Sequence, residues 1–252
     1  MDILRDINKK LKAILFDFNG VILYDSEIQE KSWQLIIYEK TGKKYNINEL
    51  RKLIHGRGVK DLIKTLIDDK LDEEKIKQIA KRKENIYRDL CLRNKDAFTL
   101  THSVVGLFER LNKYNIPYTI ASSASEDDMR FYFEHLKLNK WFSWDKIAYF
   151  DGKVKTKPAP DLYILGAKKL NFEPCDCCVI EDAVAGMQAA KNANAGFVVA
   201  VSIERELPIE AKELANSVVY SLDEINELFL YKYFISKNDV NFPLYYISGM
   251  GY

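Results

Sequence analysis

Five polar side chains lie beside the ends of short apolar runs or at the start of a helical pattern: Asp17, Ser123, Lys157, Glu181 and Asp182. In an open parallel sheet, ligands bind at the carboxyl ends of the strands, where the strand order reverses. If the apolar runs are neighbouring strands, these five side chains converge on one site. The sequence therefore predicts a cluster of three carboxylates, one ammonium group and one hydroxyl at a sheet edge.

The carboxylates and the lysine of this cluster suit phosphoryl transfer. Asp17 can act as a nucleophile that forms an aspartyl-phosphate. Because an anionic phosphate repels a carboxylate, the attack requires a cation, and the hard oxygens of Asp17, Glu181 and Asp182 are suited to Mg²⁺. We expect Lys157 to neutralise phosphate oxygens and to orient Asp17.

Groups that would hold the phosphate oxygens lie beside the same apolar runs. We expect the hydroxyl of Ser123 to bind one phosphate oxygen and backbone N–H groups around Phe18 to bind others. Taken singly, each of these features has an ordinary structural explanation, such as a strand cap, a surface lysine or a serine in a turn. Their order and context agree at every step, which favours the phosphoryl-transfer interpretation.

Hydrophobic patterns predict the elements that must position these side chains. We predict five short buried strands, over Ala13–Phe18, Tyr118–Ser122, Ile147–Tyr149, Cys177–Ile180 and Phe197–Val201. Helical patterns lie between them, over Val104–Tyr114, Asp127–Leu138, Pro160–Leu170 and Ala183–Asn194. Alternation of this kind predicts an α/β doubly wound, Rossmann-like parallel sheet with helices on both faces.

The interval from about Glu27 to Asp96, between the first two predicted strands, has no strand-like run. Its helical patterns cover Ile28–Glu39, Ile47–Leu53, Val59–Ile67 and Asp72–Leu92. We therefore divide the chain into an α/β core domain of residues 1–26 plus 97–225, an inserted helical domain of residues 27–96, and an aromatic-rich C-terminal extension of residues 226–252.

The composition limits the classes of partner. Among the 252 residues, 38 Lys and Arg against 37 Asp and Glu give a net charge of +1, which offers no general attraction for nucleic acid or an anionic membrane. No apolar run approaches the roughly 20 residues that a membrane span needs, and the polar start leads us to expect no secretory signal. We predict a cytoplasmic monomer or homodimer that binds neither nucleic acid nor membrane.

Two further clusters have structural explanations. Three cysteines crowd into "CDCC", and Cys177 and Cys178 open an apolar run, so we expect both to be buried small hydrophobic side chains in a reducing compartment. The basic stretch Lys81-Arg82-Lys83 is balanced by nearby acidic residues, so we expect it to form a solvated helix face.

Four motifs of this chain resemble those of the haloacid dehalogenase superfamily. "FDFNGVI" resembles the first motif, "YTIASSAS" the second, "KTKPAPD" the third and "VIEDAVAGMQAA" the fourth, and the similarity covers residues 11–225. The resemblance is to the subgroup of β-phosphoglucomutase and phosphoglycolate phosphatase. It implies a Mg²⁺-dependent phosphatase or phosphomutase that acts on a small phosphorylated metabolite, with the inserted helices forming a cap over the site.

The resemblance also implies roles for individual residues. Asp17 would be the nucleophile and Lys157 its catalytic partner, while phosphate would bind at Phe18, Ser123, Ala124 and Lys157. The metal would be held by Asp17, Glu181, Asp182 and the backbone carbonyl of Asn19. In the cap, the loop "HGRGVKD" would contact the distal part of the substrate through Gly56, Arg57 and Lys60. A simple turn between two helices with surface cations explains this loop equally well.

Asn19 departs from the family pattern, in which a second aspartate occupies this position. That aspartate protonates the leaving-group oxygen and later takes a proton from the attacking water or hydroxyl. An amide donates a hydrogen bond but does not exchange a proton, and loss of general acid–base catalysis costs about 10²–10⁴-fold in rate. We therefore include Asn19 among the catalytic positions. The amide leaves the groups that bind phosphate and Mg²⁺ in place and removes only the group that transfers the proton.

Four interpretations of Asn19 are open. The enzyme acts on substrates with good leaving groups or through a substituted base; it binds phosphate ligands without turnover; it cleaves C–P or C–halogen bonds; or Asn19 is an engineered change or deamidates to aspartate. Two other departures argue against a faithful β-phosphoglucomutase: Glu126 replaces a lysine, and Val59 stands near the position of an arginine. In the first helix of the insertion, Gln29 replaces a histidine of that subgroup.

Overall fold

The computed structural model describes residues 10–54, 58–203 and 206–235. A six-stranded sheet with parallel pairing throughout lies at its centre, in the order β3-β2-β1-β4-β5-β6. Its strands are β1 (Ala13–Phe16), β2 (Tyr118–Ser125), β3 (Ala148–Phe150), β4 (Cys177–Glu181), β5 (Phe197–Val201) and β6 (Ser217–Val219). This order confirms the predicted doubly wound sheet, and the order reverses between β1 and β4.

Ten α-helices accompany the sheet in the described part of the chain. The first four to follow β1 are α1 (Ser26–Thr41), α2 (Ile47–Ile54), α3 (Val59–Leu66) and α4 (Glu73–Arg93). The other six are α5 (His102–Lys113), α6 (Glu126–His135), α7 (Asp161–Lys169), α8 (Val184–Asn192), α9 (Ile209–Leu214) and α10 (Glu227–Tyr233).

The central strands β1, β4 and β5 are buried on both faces, which is why they form continuous apolar runs in the sequence. All four residues of β1 have no exposed surface, and successive side chains point to opposite faces. Ile14 and Phe16 pack into one hydrophobic cluster with residues of α5 and α6. Ala13 and Leu15 pack into a second cluster with residues of α7 and α8. The two layers of helices fix the sheet and therefore the positions of its strand ends.

The helices α1 to α4 have a hydrophobic cluster of their own, built around Trp33, Ile36, Leu50, Ile63 and Ile76. This observation agrees with an inserted helical unit. The division of the chain into core, insertion and extension stays a prediction.

Helix α4 also contacts the sheet-bearing part of the chain. Arg88 of α4 forms an ion pair of 2.5 Å with Asp128 of α6. The ring of Tyr87 meets the ring of Tyr132 edge to face, with centroids 6.3 Å apart. These contacts join helix α4 to helix α6 of the sheet layer.

Three elements were absent from the predicted set: β6, α9 and α10. They are short, with three, six and seven residues, so each presents too few periodic positions for a pattern.

The prediction that Cys177 and Cys178 are buried is confirmed. Cys177 and Cys178 are fully buried, and both are free thiols. None of the helices within the described ranges combines the length and apolar character needed to cross a membrane.

Candidate active site

The reversal point between β1 and β4 brings three predicted carboxylates together. Asp17 follows β1, and its backbone N–H donates a hydrogen bond of 2.9 Å to the carbonyl of Ile180 in β4. Glu181 is the last residue of β4, and Asp182 follows it. One oxygen from each of the three carboxylates lies within 4.8 Å of the other two.

Lys157 lies between two of these carboxylates. Its ammonium group donates hydrogen bonds to Oδ1 of Asp17 and, at 2.6 Å, to Oε1 of Glu181. The Lys157 side chain is only 7% exposed and that of Glu181 only 1%, so solvent screens these ion pairs weakly. The lysine therefore offsets part of the negative charge gathered at the sheet edge.

Glu181 is held by four donors. Oε1 accepts from Lys157 and, at 2.8 Å, from the hydroxyl of Tyr163. Oε2 accepts from the backbone N–H groups of Asp182 at 2.9 Å and Ala183 at 3.0 Å. A buried carboxylate with this many partners has one well-defined position.

Two glycines allow the acidic side chains to approach the backbone. A Cβ atom on Gly20, whose φ is +83°, would lie 2.3 Å from Oδ2 of Asp182. A Cβ atom on Gly186 in α8 would lie 1.6 Å from Oε1 of Glu181. Neither glycine is among the predicted site residues, although each lies within one of the four motifs.

Burial and charge shift the pKa values of the central pair. Burial raises the pKa of Asp17 to about 7; Lys157 opposes this rise and Glu181 adds to it. Burial acts to lower the pKa of Lys157, but the neighbouring carboxylates outweigh it, so that pKa is raised. Three carboxylates with one ammonium group leave excess negative charge, and their hard oxygens fit a divalent cation such as Mg²⁺.

The predicted phosphate-binding groups lie close by. Oγ of Ser123 accepts a hydrogen bond of 3.4 Å from the backbone N–H of Lys157. The N–H of Ala124 donates to the hydroxyl of Ser122 at 3.1 Å, and the N–H of Phe18 donates to the carboxylate of Asp17. A phosphate oxygen that accepts a hydrogen bond from either of these N–H groups would therefore replace the protein acceptor to which that group donates in this structure.

Asn19 lies two residues after Asp17, and its side chain donates a hydrogen bond to a buried carboxylate. Its Nδ2 donates to Oδ2 of Asp25 at 3.0 Å. The same oxygen accepts from Nε2 of Gln29 at 3.0 Å and from the hydroxyl of Tyr87 at 2.5 Å. Asn19 is among the predicted site residues, whereas its neighbours Asp25 and Tyr87 are not.

The prediction of a solvated helix face over Lys81-Arg82-Lys83 is wrong at Lys83, which is buried. Its side chain is 5% exposed, and its ammonium group donates to Oε1 of Gln29 at 2.5 Å. The rings of Trp33 and Tyr87 lie 5.6 and 5.2 Å from this ammonium group, and burial lowers the pKa of Lys83. Helical spacing could have revealed this, because Lys83 lies four residues from two apolar positions, Ile79 and Tyr87.

The predicted substrate loop is described only in part. Gly56 and Arg57 lie outside the described residues. Lys60 is exposed, and its ammonium group pairs with Glu73 of α4. Its contact with a substrate stays a prediction.

The sequence and the fold of this chain are similar to those of known proteins. The model of the family described as "Hydrolase: haloacid dehalogenase-like hydrolase" matches residues 11–194. The chain belongs to this family. This haloacid dehalogenase-like chain is also similar to a solved "HAD hydrolase, family IA, variant 3" from Entamoeba histolytica, with a TM-score of 0.78 and 31% identity over 86% of this chain and 96% of that one.

Two other relatives show the range of named activities. The solved structure of a β-phosphoglucomutase from Clostridium difficile has a TM-score of 0.68 and 24% identity, covering 88% of this chain and 97% of that one, and it supports the fold alone. The "Phosphorylated carbohydrates phosphatase" of Thermotoga maritima is 27% identical over 73% of this chain and 82% of its own length. The predicted family is confirmed, and so is the prediction of a phosphatase-like hydrolase.

Proposed function

We propose that this protein is a Mg²⁺-dependent phosphatase that acts on a small phosphorylated metabolite through an aspartyl-phosphate on Asp17. The observation that carries the proposal is the position of the Lys157 ammonium group between Asp17 and Glu181 at the reversal point of the sheet. The phosphorylated carbohydrates named for the Thermotoga maritima relative support this class of substrate.

The residues present fit the metal that the family implies. Asp17, Glu181, Asp182 and the backbone carbonyl of Asn19 would hold Mg²⁺, with Gly20 leaving room for the Asp182 carboxylate. When bound, the ion supplies positive charge that offsets the repulsion between phosphate and carboxylate.

The chain's own groups would carry the two chemical steps. A carboxylate oxygen of Asp17 attacks phosphorus, and the bond from phosphorus to the leaving oxygen breaks with its electron pair on that oxygen. Lys157 and the hydroxyl of Ser123 hold the transferred phosphoryl group. Water then attacks the same phosphorus, which releases inorganic phosphate and restores the Asp17 carboxylate.

Asn19 would set which substrates turn over. An amide does not give a proton to the leaving oxygen, so esters with poor leaving groups lose about 10²–10⁴-fold in rate. The leaving groups of acyl phosphates and pyrophosphates depart without that proton, so these compounds are the preferred substrates in this proposal. The second step also lacks a base, so hydrolysis of the aspartyl-phosphate is slow.

The helical insertion would act as a cap that admits substrate and excludes water. We place its hinges near Ser26 and near residues 96–97, and we assign contacts with the distal part of the substrate to Gly56, Arg57 and Lys60. The buried free thiols support a cytoplasmic location. A monomer or homodimer is proposed as the working state.

A panel of phosphate esters, acyl phosphates and pyrophosphates tests the proposal. We expect turnover of the acyl phosphates and pyrophosphates that requires Mg²⁺, stops with a chelator and disappears in Asp17→Ala. Turnover that survives in Asp17→Ala would contradict the proposal. Calorimetric binding of phosphate ligands with no turnover would instead support a phosphate-binding protein, the alternative that the amide at position 19 favours.

A further inference from the structure

We propose that Tyr163 is a positioning residue: its hydroxyl shares one oxygen of Glu181 with Lys157 and thereby keeps the ammonium group of Lys157 available to a bound phosphate. Tyr163 lies in α7 and is not among the predicted site residues. The inference deepens the proposed function and rests on it where it concerns phosphate.

Tyr163 contacts both partners of a central ion pair. Its hydroxyl donates a hydrogen bond of 2.8 Å to Oε1 of Glu181, the oxygen that also accepts from the ammonium group of Lys157 at 2.6 Å. The same ammonium group lies over the Tyr163 ring, 4.8 Å from its centroid, which is within the range of a cation–π interaction. One side chain therefore meets the carboxylate with its hydroxyl and the ammonium group with its ring.

The packing of α7 fixes the position of Tyr163. The side chain is fully buried, in the hydrophobic cluster that includes Leu15 of β1 and Ala121 of β2. Gly166, three residues further along α7, lets the helix lie close to the sheet, because a Cβ there would already be 3.4 Å from the side chains of Leu15 and Ala121. A close-packed interior leaves the ring few other positions, so the hydroxyl is held against Glu181.

The Tyr163 hydroxyl is the donor in its contact with Glu181. Burial and the negative charges of Glu181 and Asp17 raise the pKa of Tyr163 well above its ordinary value, so the hydroxyl keeps its proton. The other oxygen of Glu181 accepts from two backbone N–H groups, which favours the ionised carboxylate. Oε1 therefore divides its negative charge between two donors, a neutral hydroxyl and a positive ammonium group.

This division limits the attraction of Glu181 for Lys157. An ammonium group has three N–H donors, and among the described residues Asp17 and Glu181 accept from two of them. Without the hydroxyl, Lys157 would be the only side chain in the described ranges that donates to Oε1. It would be drawn towards Glu181, because solvent screens this buried ion pair weakly. An ammonium group held closer to Glu181 offers less to a phosphate.

Tyr163→Phe tests the inference, because it removes the hydroxyl and keeps the ring with its packing. Calorimetry would measure the binding of Mg²⁺ alone and then of inorganic phosphate at saturating Mg²⁺. We expect the Kd for phosphate to rise about tenfold, since hydrogen bonds to charged groups are among the stronger ones. The Kd for Mg²⁺ should change by less than about threefold, because Glu181 keeps its other three donors.

Tyr118→Phe is the matched control. Tyr118 is the first residue of β2, at the opposite end of that strand from Ser123, and its hydroxyl donates to the side-chain oxygen of Asn112 at 3.2 Å. The substitution also removes one hydroxyl and one hydrogen bond. We expect both dissociation constants of this variant to stay within about twofold of the wild type.

The outcomes separate the inference from the proposed function. A phosphate Kd in Tyr163→Phe within about twofold of the wild type would overturn the inference. Equal losses of Mg²⁺ and phosphate binding would also overturn it, because they are the signature of a structural role, and so would a wild type that binds no phosphate. If phosphate binding weakens selectively as expected, and the wild type turns over no compound of the substrate panel, the inference holds and the proposed function fails.

Discussion

Replacement of Gly186 by alanine is the sharpest perturbation of the site that the structure offers. The added Cβ would lie 1.6 Å from Oε1 of Glu181, which is the far end of a side chain only 1% exposed. Glu181 has to leave a position in which it accepts four hydrogen bonds, including those from Lys157 and Tyr163. The substitution therefore removes the carboxylate from the centre of the site without changing any charged residue.

The magnitude follows from two opposing effects. Alanine within a helix such as α8 stabilises the protein by up to about 1 kcal/mol relative to glycine. Breaking a buried ion pair costs about 3–5 kcal/mol, because one charge remains buried without its partner. We expect Gly186→Ala to lower the free energy of unfolding by about 2–4 kcal/mol.

Gly106→Ala is the matched control. This glycine also lies within a helix, α5, but a Cβ there would first meet Nη1 of Arg110 at 3.4 Å, the end of a flexible side chain. We expect this variant to be as stable as the wild type or about 0.5–1 kcal/mol more stable.

Urea unfolding with and without Mg²⁺ measures both effects. The wild type and the control should be stabilised by Mg²⁺, because a ligand that binds the folded state shifts the unfolding equilibrium. Gly186→Ala should lose this response together with turnover. A Gly186→Ala protein that matches the control in stability and in its response to Mg²⁺ would refute the reasoning about Glu181.

Three other predictions follow from buried or partly buried cations. Lys157→Met should lower kcat/KM by at least about 10²-fold in steady-state kinetics, and an unchanged value would exclude its role in neutralising phosphate. A double-mutant cycle of Arg88→Met with Asp128→Asn should show about 1 kcal/mol of coupling that falls with added salt; zero coupling would remove this contact as a link between the insertion and the sheet layer. Burial lowers the pKa of Lys83, and the Glu84 carboxylate, 3.7 Å from the Lys83 ammonium group, opposes this only in part. The folded protein therefore binds fewer protons than the unfolded chain at pH values between that lowered pKa and the ordinary pKa of 10.5. Stability should rise with pH across this window, and Lys83→Met should abolish the rise in urea titrations; the same rise in the variant would assign it to another group.

The sheet was predictable from the sequence because each of its central strands is buried on both faces. A strand such as β1 is then a continuous apolar run, and its end is marked by the first polar residue, Asp17. The three-residue strand β6 is too short to show such a run. Its placement depends on pairing with β5, which no local pattern of residues encodes.

The site was predictable to the extent that it lies at strand ends. Parallel strands bring Asp17 and Glu181 together once the strand order is known, and Lys157 was placed with them by its motif. The network around Asp25 was not predictable in the same way. Its contact with Tyr87 spans 62 positions of the chain and depends on how helix α4 packs on the turn after β1.

Phosphorylation of Asp17 tests the central claim most directly. The protein would be mixed with an acyl phosphate and Mg²⁺, quenched in acid within seconds, digested and mapped by mass spectrometry. Because Asn19 leaves the second step without a base, the account predicts that a phosphoryl group accumulates on Asp17, requires Mg²⁺ and is absent from Asp17→Ala. Turnover of the acyl phosphate with Asp17 unmodified, or with the phosphoryl group on another residue, would contradict the account.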